Sequence, residues 1–383
     1  MITSNRIANL HPYVPGEQPK DRAYIKLNAN ENPYPPSPHV IQQVCEFAKQ
    51  NPRALSLYPD PESENLKRAI ASMLNQTGGV LQNAKFANGA FLPNEKNALP
   101  FEITSDMIYC GNGSDEVLSF LFYAFFNANE TIALPTFTYS FYQVYAGFYN
   151  IPIDFVPLQK NFSLDTDALL AVSEKNKTPI IFANPNAPSG IALSKNEVRE
   201  FLRKANSEKV FVVDEAYCDF ADESCISLLN EFSNLIIVRT FSKSMCGAGL
   251  RIGFAVANAG LIRTLTTVKN SVNHFPLDAV AQVAGIAACN DVSYYVDCAK
   301  KICKTRDEFV SFLCEKNWDA IPSKTNFVFA KKNGIAGRTI YEKIKSAGIL
   351  VRHFPIDGIE NYVRITIGNE SEMNALKQAI ENL

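Results

Sequence analysis

The pattern that most restricts the fold lies between residues 107 and 254, where short apolar runs alternate with longer stretches of helical periodicity. Buried strands separated by helices imply an α/β fold with a parallel sheet flanked by its crossover helices. Three of the runs end alike. Pro179-Ile-Ile-Phe-Ala183 leads into Asn184-Pro-Asn-Ala-Pro-Ser-Gly190, Lys209-Val-Phe-Val-Val213 into Asp214-Glu-Ala-Tyr217, and Leu235-Ile-Ile-Val238 into Arg239-Thr-Phe-Ser-Lys243. Open α/β sheets hold ligands in the crevice outside the carboxyl ends of their strands, so three polar termini brought to one edge predict a single shared site.

The flanking segments read differently. Residues 1–60 are rich in Pro, Asn and Tyr, with Pro33, Pro35, Pro36 and Pro38 in close succession, and suggest an extended arm able to wrap a partner. Leu66, Ile70, Met73 and Leu74 recur at helical spacing within 63–74. Residues 77–105 carry Gly78, Gly79, Gly89, Pro93 and Pro100 without sustained periodicity, and read as an insertion or mobile loop. Beyond Asn258 the pattern turns helical, and from Asn326 it mixes strand and helix, as a smaller C-terminal domain would. A chain of 383 residues, 46% hydrophobic, can bury cores for two or three domains.

Several classes of function are disfavoured. A formal charge of -2 with scattered basic residues offers no footprint for nucleic acid. The first ten residues contain Asn5, Arg6 and Asn9 and no apolar core, unlike a signal peptide, and the apolar run 120–126 is far shorter than the roughly 20 residues a spanning helix needs. The expectation is a cytoplasmic protein. Nine cysteines without a Cys-x-x-Cys spacing, and four histidines without a helical or finger pairing, predict no disulfide framework and no metal site.

The strand ends carry the chemistry. A cofactor that reacts as an aldehyde needs a lysine amine, and Lys243 sits just past a buried run with the cation Arg251 nearby. A pyridinium ring that accepts electrons needs an anion against its nitrogen, a role suited to Asp214. Tyr217, three residues on, can reach the ring's phenolic oxygen. A phosphate cradle is offered by Cys110-Gly-Asn-Gly-Ser-Asp-Glu116, where Gly113, Ser114 and Asp115 open a helix-like stretch after a strand-like one. Thr240, Ser242 and Arg251 would complete it. It is not a dinucleotide fingerprint, because Glu116 stands at the third glycine position. Taken singly, Lys243 is more often a surface lysine, Asp214 a helix cap and Tyr217 a half-buried aromatic. Their order on successive strand ends favours one site.

Beyond these groups the chain resembles the fold-type I aminotransferases and, within them, the histidinol-phosphate aminotransferases. The likeness rests on Leu27-Asn-Ala-Asn-Glu-Asn-Pro-Tyr34, Tyr58-Pro-Asp-Pro61, Gly111-Asn-Gly-Ser-Asp-Glu116, Pro135-Thr-Phe137, Asp214-Glu-Ala-Tyr217, Gly249-Leu-Arg251, Pro322-Ser-Lys-Thr-Asn326, Gly348-Ile-Leu-Val-Arg352 and Val363-Arg-Ile-Thr-Ile-Gly368. It implies a mainly parallel seven-stranded sheet in a large domain over 61–280, a smaller α+β domain over 281–383, and an N-terminal arm within 1–60 that joins the small domain. It further implies pyridoxal 5'-phosphate on Lys243, Asp214 at the ring nitrogen, Tyr217 at the phenolic oxygen, and Phe137 stacked on the ring. Tyr58 would reach the cofactor phosphate of a second subunit in a homodimer, with Asn30 beside the shared site. Arg364 would bind the carboxylate of an amino acid and, together with Arg352, the phosphate of histidinol phosphate.

The resemblance also marks a departure. Family members usually carry asparagine, hydrogen-bonded to the phenolic oxygen, where this chain has Ala187; Asn186 or Asn184 could compensate. Aromatic amino-acid aminotransferases, a threonine-phosphate decarboxylase and a non-catalytic, ligand-sensing relative are the competing readings. The intact Lys243 and Asp214, and the lack of an appended basic segment, argue against the last.

Overall fold

The structure is a computed structural model that describes residues 2, 7, 10–87, 90–92 and 98–383. Its centre is a five-stranded sheet built from β1 (Ile108–Asn112), β4 (Ile180–Ala183), β5 (Phe211–Asp214), β6 (Leu235–Thr240) and β7 (Ile252–Ala257), in the order β1-β7-β6-β5-β4. β4, β5 and β6 run parallel, and β7 is antiparallel to both of its neighbours. A parallel pair, β2 (Ile132–Pro135) and β3 (Ile153–Val156), lies beside β4, which brings the strands to seven in two hydrogen-bonded pieces. β4, β5 and β6 are buried at every position, so they read as unbroken apolar runs where a half-exposed strand would alternate. In register, Ala183 lies opposite Asp214 and Asp214 opposite Val238, so the polar residues that follow leave the sheet together at one edge.

Residues 318–366 form a second, antiparallel sheet of β8 (Trp318–Ile321), β9 (Phe327–Lys332), β10 (Arg352–His353) and β11 (Val363–Thr366), ordered β8-β9-β11-β10. The 24-residue helix Val292–Glu315 precedes it and buries Tyr295, Ile302, Phe309 and Leu313 along one side. The arm is tied into this region. Ile25–Lys26 pairs in parallel with Ile349–Leu350, and the N–H of Thr366 donates to the carbonyl of Leu27 at 2.9 Å.

The segment 77–105 is more structured than its composition suggests. Gly78 and Gly79 end the helix Glu64–Thr77 at φ of 63° and 84°, and a turn at Leu81–Asn83 and a hairpin of Lys85–Ala87 with Ala90–Leu92 follow. Arg239 donates to the carbonyl of Gly79, and the N–H of Leu81 to Asp219 at 3.1 Å, fastening the turn behind the sheet. Gly89 and Pro93 lie outside the described residues. No helix is long and apolar enough to cross a membrane, and no cluster of three or more potential metal ligands occurs, among the described residues.

Candidate active site

At the carboxyl edge of β5 and β6 two cavities meet. One, of about 310 Å³, is lined by Ser114, Asp115, Tyr139, Asp214, Tyr217, Thr240, Ser242, Lys243 and Arg251. The other, of about 220 Å³, shares Tyr139, Ala187, Tyr217 and Lys243 with it and extends to Arg352 and Arg364. Lys243 stands at the junction. Its main-chain carbonyl accepts from Asn32 Nδ2 at 2.8 Å, and its Nζ donates to the carbonyl of Ala29 at 3.3 Å. The segment 29–32 thus holds the loop that follows β6.

Asp214 ends β5 at 4% exposure. Its hydrogen bonds come from neutral donors: Tyr142 Oη at 2.8 Å to Oδ2, and the N–H of Ala216 at 3.1 Å to Oδ1. Burial pushes its carboxyl up to about 6, with these two donors pulling back and Asp115 and Glu215 pushing further. A cation placed against it would relieve that cost. Tyr217 is steered from the arm, since Asn30 Nδ2 donates to its hydroxyl at 2.8 Å. Asn30 itself is buried, with a left-handed φ of 55°, and its N–H donates to Thr366 Oγ1 at 3.0 Å.

The anion cradle is a backbone contact. β1 runs into the helix Gly113–Phe125, and Gly113 turns the chain with φ of 78°. A Cβ on Gly253 of β7 would lie 2.1 Å from the nitrogen of Ser114, so only glycine lets the helix start settle against the sheet. Free N–H groups at a helix start favour an anion. Ser242 Oγ lies 3.0 Å from Thr240 Oγ1 and 3.5 Å from Arg251 Nη1, and Arg251 is paired with Asp115 at 3.0 Å.

In the second cavity, Arg364 faces no carboxylate among the described residues. One Nη donates to the carbonyl of Asn28 at 3.3 Å, its guanidinium lies 5.2 and 5.5 Å from the rings of Phe327 and Phe354, and its buried Nε finds no partner among the described residues. Burial, reinforced by the neighbouring Arg352, holds it below the ordinary arginine range against the pull of Tyr217 and Tyr13. Arg352 donates to the carbonyl of Val14 at 3.2 Å. The arm closes the cavity from outside: Tyr13, Pro15, Gly16 and Gln18 line it, Tyr13 stacks on Phe141 at 4.6 Å, and Glu17 is paired with Lys345 and Tyr341.

The family model for aminotransferase class I and II matches residues 22–380. The chain belongs to that family. Its relatives include the histidinol-phosphate aminotransferases of Syntrophus aciditrophicus, 41% identical over all of this chain and 98% of that one, and of Clostridium acetobutylicum, 39% identical over 99% and 97%. Among solved structures, the histidinol-phosphate aminotransferase of Sinorhizobium meliloti in complex with pyridoxal-5'-phosphate superposes with a TM-score of 0.83 at 24% identity, over 100% of this chain and 98% of that one. These neighbours carry the fold-type I architecture.

In this aminotransferase two expected positions, Phe137 and Asn186, fall outside the cavities, while Tyr58 was expected at a second subunit's site. Phe137 is not in the cavity: its ring packs with Ile321, Phe329, Ile359 and Tyr362, while Tyr139, two residues on, lines both cavities. Asn186 is spent within the chain, donating to the carbonyl of Phe137 at 2.9 Å and to Ser189 at 3.1 Å and accepting from Thr138 at 3.0 Å. Asn184 is likewise closed on the backbone of Leu193 through both ends of its amide, so neither replaces the donor missing at Ala187. Tyr58 lies away from this chain's cavities, 83% exposed and stacked on Phe275 at 4.5 Å. Gly113, Ser114, Asp115, Asp214, Tyr217, Thr240, Ser242, Lys243 and Arg251 gather at the first cavity, and Asn30, Arg352 and Arg364 at the second. Tyr139, Tyr142 and the arm residues 13–18 were not anticipated.

Proposed function

We propose that this chain is a pyridoxal-phosphate-dependent transaminase that exchanges an amino group between histidinol phosphate and 2-oxoglutarate, giving imidazole-acetol phosphate and glutamate in histidine biosynthesis. The observation that carries the reading is the placement of Lys243 between two unmatched charges, the buried Asp214 in one cavity and Arg364 in the other. The full-length relatives named for this reaction support the substrate.

The residues fit the cofactor. Asp214 is a buried carboxylate that lacks a cationic neighbour among the described residues, as a protonated ring nitrogen would supply, and the Gly113 and Gly253 contact leaves backbone N–H groups for a phosphate beside Ser242, Thr240 and Arg251. When bound, pyridoxal phosphate supplies an aldehyde for the amine and a ring that takes up electron density from the reacting carbon. Asp214 keeps the proton on the ring nitrogen. Tyr217, its hydroxyl already accepting from Asn30, has its own proton to donate to the ring oxygen. Lys243 Nζ would act as the base that takes the proton from the amine-bearing carbon of the substrate and delivers it to the cofactor carbon that carried the aldehyde. Arg364 and Arg352 orient either substrate by the anion at its far end, a carboxylate or a phosphate.

The same reading makes Tyr58, exposed and outside its own cavities, the contribution of a second subunit to the cofactor phosphate, and makes the homodimer the working form. It also takes 61–280 as the cofactor-holding domain, 281–383 as the smaller one, 1–60 as the arm, and the cytoplasm as the location. The test is a half-reaction. Holoenzyme without keto acid receives histidinol phosphate, phenylalanine or glutamate, and the visible absorption band is followed. Rapid conversion by histidinol phosphate and glutamate is expected; conversion by phenylalanine with no response to histidinol phosphate would refute the substrate.

A further inference from the structure

The loop that carries Tyr58 is held to its own chain at its root. It follows the helix Pro38–Gln50, and every residue of its turn Pro52–Ser56 is at least partly exposed. Leu55, Leu57 and Tyr58 all stand out from the surface. Below Tyr58 the backbone is gripped by two buried side chains from separate helices. Lys269, on the helix Ala259–Val272, donates from Nζ to the carbonyl of Pro61 at 2.7 Å and to Glu62 Oε1 at 2.9 Å. Gln282, on the helix Ala279–Asn290, donates from Nε2 to the carbonyl of Asp60 at 3.0 Å. The Asp60 carboxylate accepts from the N–H groups of Glu62 and Glu64 at 3.0 and 2.7 Å, which locks the root to the start of the helix Glu64–Thr77. Phe275, in the link between the helices of Lys269 and Gln282, carries the ring of Tyr58 at 4.5 Å.

Lys269 is 2% exposed. A buried ammonium needs close acceptors to keep its charge, and those of Lys269 belong to the residues three and four places after Tyr58. We propose that Lys269 is a positioning residue that acts across the dimer: with Gln282 and Phe275 it aims the Tyr58 hydroxyl at the cofactor phosphate in the second subunit. This rests on the reading of Tyr58 and of the homodimer given above, and it adds a direction. A side chain that supported its own chain alone would alter the site on that chain. One that aims Tyr58 alters the site of its partner.

Hybrid dimers separate the two directions. Two differently tagged chains are co-expressed, and the hybrid is isolated by two affinity steps. One chain carries Lys243→Ala, so the visible absorption band of the lysine-bound cofactor reports the other chain's site alone. The cofactor is removed, pyridoxal phosphate is titrated back, and the dissociation constant is read from that band. Lys269→Met is placed either on the Lys243→Ala chain, in trans to the reporting site, or on the reporting chain, in cis.

In trans, Lys269→Met should weaken cofactor binding roughly tenfold, the scale of one charge-assisted hydrogen bond. In cis it should leave binding nearly unchanged, which also shows that the altered chain folds. Lys269→Arg in trans should restore most of the affinity. Gln282→Leu should repeat the pattern, weak in trans and normal in cis, and it decides the matter if the Lys269→Met chain yields no hybrid. Tyr58→Phe in trans is the reference. If it weakens binding while Lys269→Met in trans does not, or if Lys269→Met acts as strongly in cis as in trans, the proposal is overturned and the reading of Tyr58 stands. If Tyr58→Phe in trans changes nothing, both fall.

Discussion

Replacing Asp214 by asparagine should stabilise the cofactor-free protein while disabling it. The carboxyl is buried and titrates near 6 in the fold against an ordinary value of 3.8. A carboxyl raised in this way contributes stability that is fully present below pH 3.8 and is lost as the pH climbs through 6. Linkage makes the loss small at pH 4 and about 3 kcal/mol at pH 7, where it levels off. Asparagine is uncharged throughout and can keep both neighbours, its oxygen accepting from the N–H of Ala216 and its amide donating to the Tyr142 hydroxyl. Urea unfolding of the two cofactor-free proteins between pH 4 and 7.5 should therefore show Asp214→Asn more stable by a margin that grows by about 2 kcal/mol and then stays constant. Pyridoxal phosphate should close or reverse the margin, because only the unmodified protein gains a carboxylate–pyridinium pair on binding. A margin independent of pH, or an asparagine variant weaker at pH 7, would refute the account of Asp214 as a charge held at a cost.

Ala187→Asn should lower the midpoint of the holoenzyme's spectrum-versus-pH curve by supplying a second donor to the ring oxygen; an unmoved midpoint would mean that Tyr217 alone already satisfies it. Gly253→Ala places a Cβ 2.1 Å from the nitrogen of Ser114 and should cost about 1–3 kcal/mol with at least a tenfold loss of pyridoxal phosphate affinity, read by unfolding and by cofactor titration. Mixing inactive Lys243→Ala with a Tyr58→Ala variant, each purified alone and then unfolded and refolded together, should regain activity, because a mixed dimer holds one site with both residues intact; no regain would place Tyr58 outside the partner's site.

How much of this was legible in the chain follows from the type of signal. β4, β5 and β6 are buried on both faces, so their apolar runs are visible without any tertiary knowledge, and the residues after them inherit their position from the sheet's register. That is why the gathering of Asp214, Tyr217, Thr240, Ser242 and Lys243 at one cavity could be read in advance. Phe137 and Tyr139 show the opposite case. They are two residues apart in an irregular stretch after β2, are both aromatic, and carry no periodic neighbour to say which turns inward; the structure sends Phe137 to Phe329 and Tyr362 and leaves Tyr139 in the cavity. Asn186 was misplaced because a buried asparagine between prolines meets the polar needs of its own loop first. The hold of Tyr142 on Asp214, and of Asn30 on Tyr217, joins residues 72 and 187 positions apart and leaves no local trace. The arm residues 13–18 were equally silent, since an extended segment takes its place from what it covers.

The charges left unmatched inside this fold are the strongest argument about what it binds. Burying a charge without a partner costs several kcal/mol, and the chain elsewhere avoids that cost: Arg239 is paired with Glu215 at 3.0 Å, and Lys269 with Glu62 at 2.9 Å. The same sequence that closes those pairs leaves Asp214 with neutral donors only and Arg364 with aromatic rings and a single carbonyl. Stability alone would favour neutral side chains at both places. A negative group in one cavity, a positive group in the other and an amine between them instead form a template, complementary to a ligand assembly that is cationic at one end and anionic at the other. The protonated ring of the cofactor and the distal anion of the substrate have that polarity, and on the proposed reading they would meet where Lys243 Nζ stands.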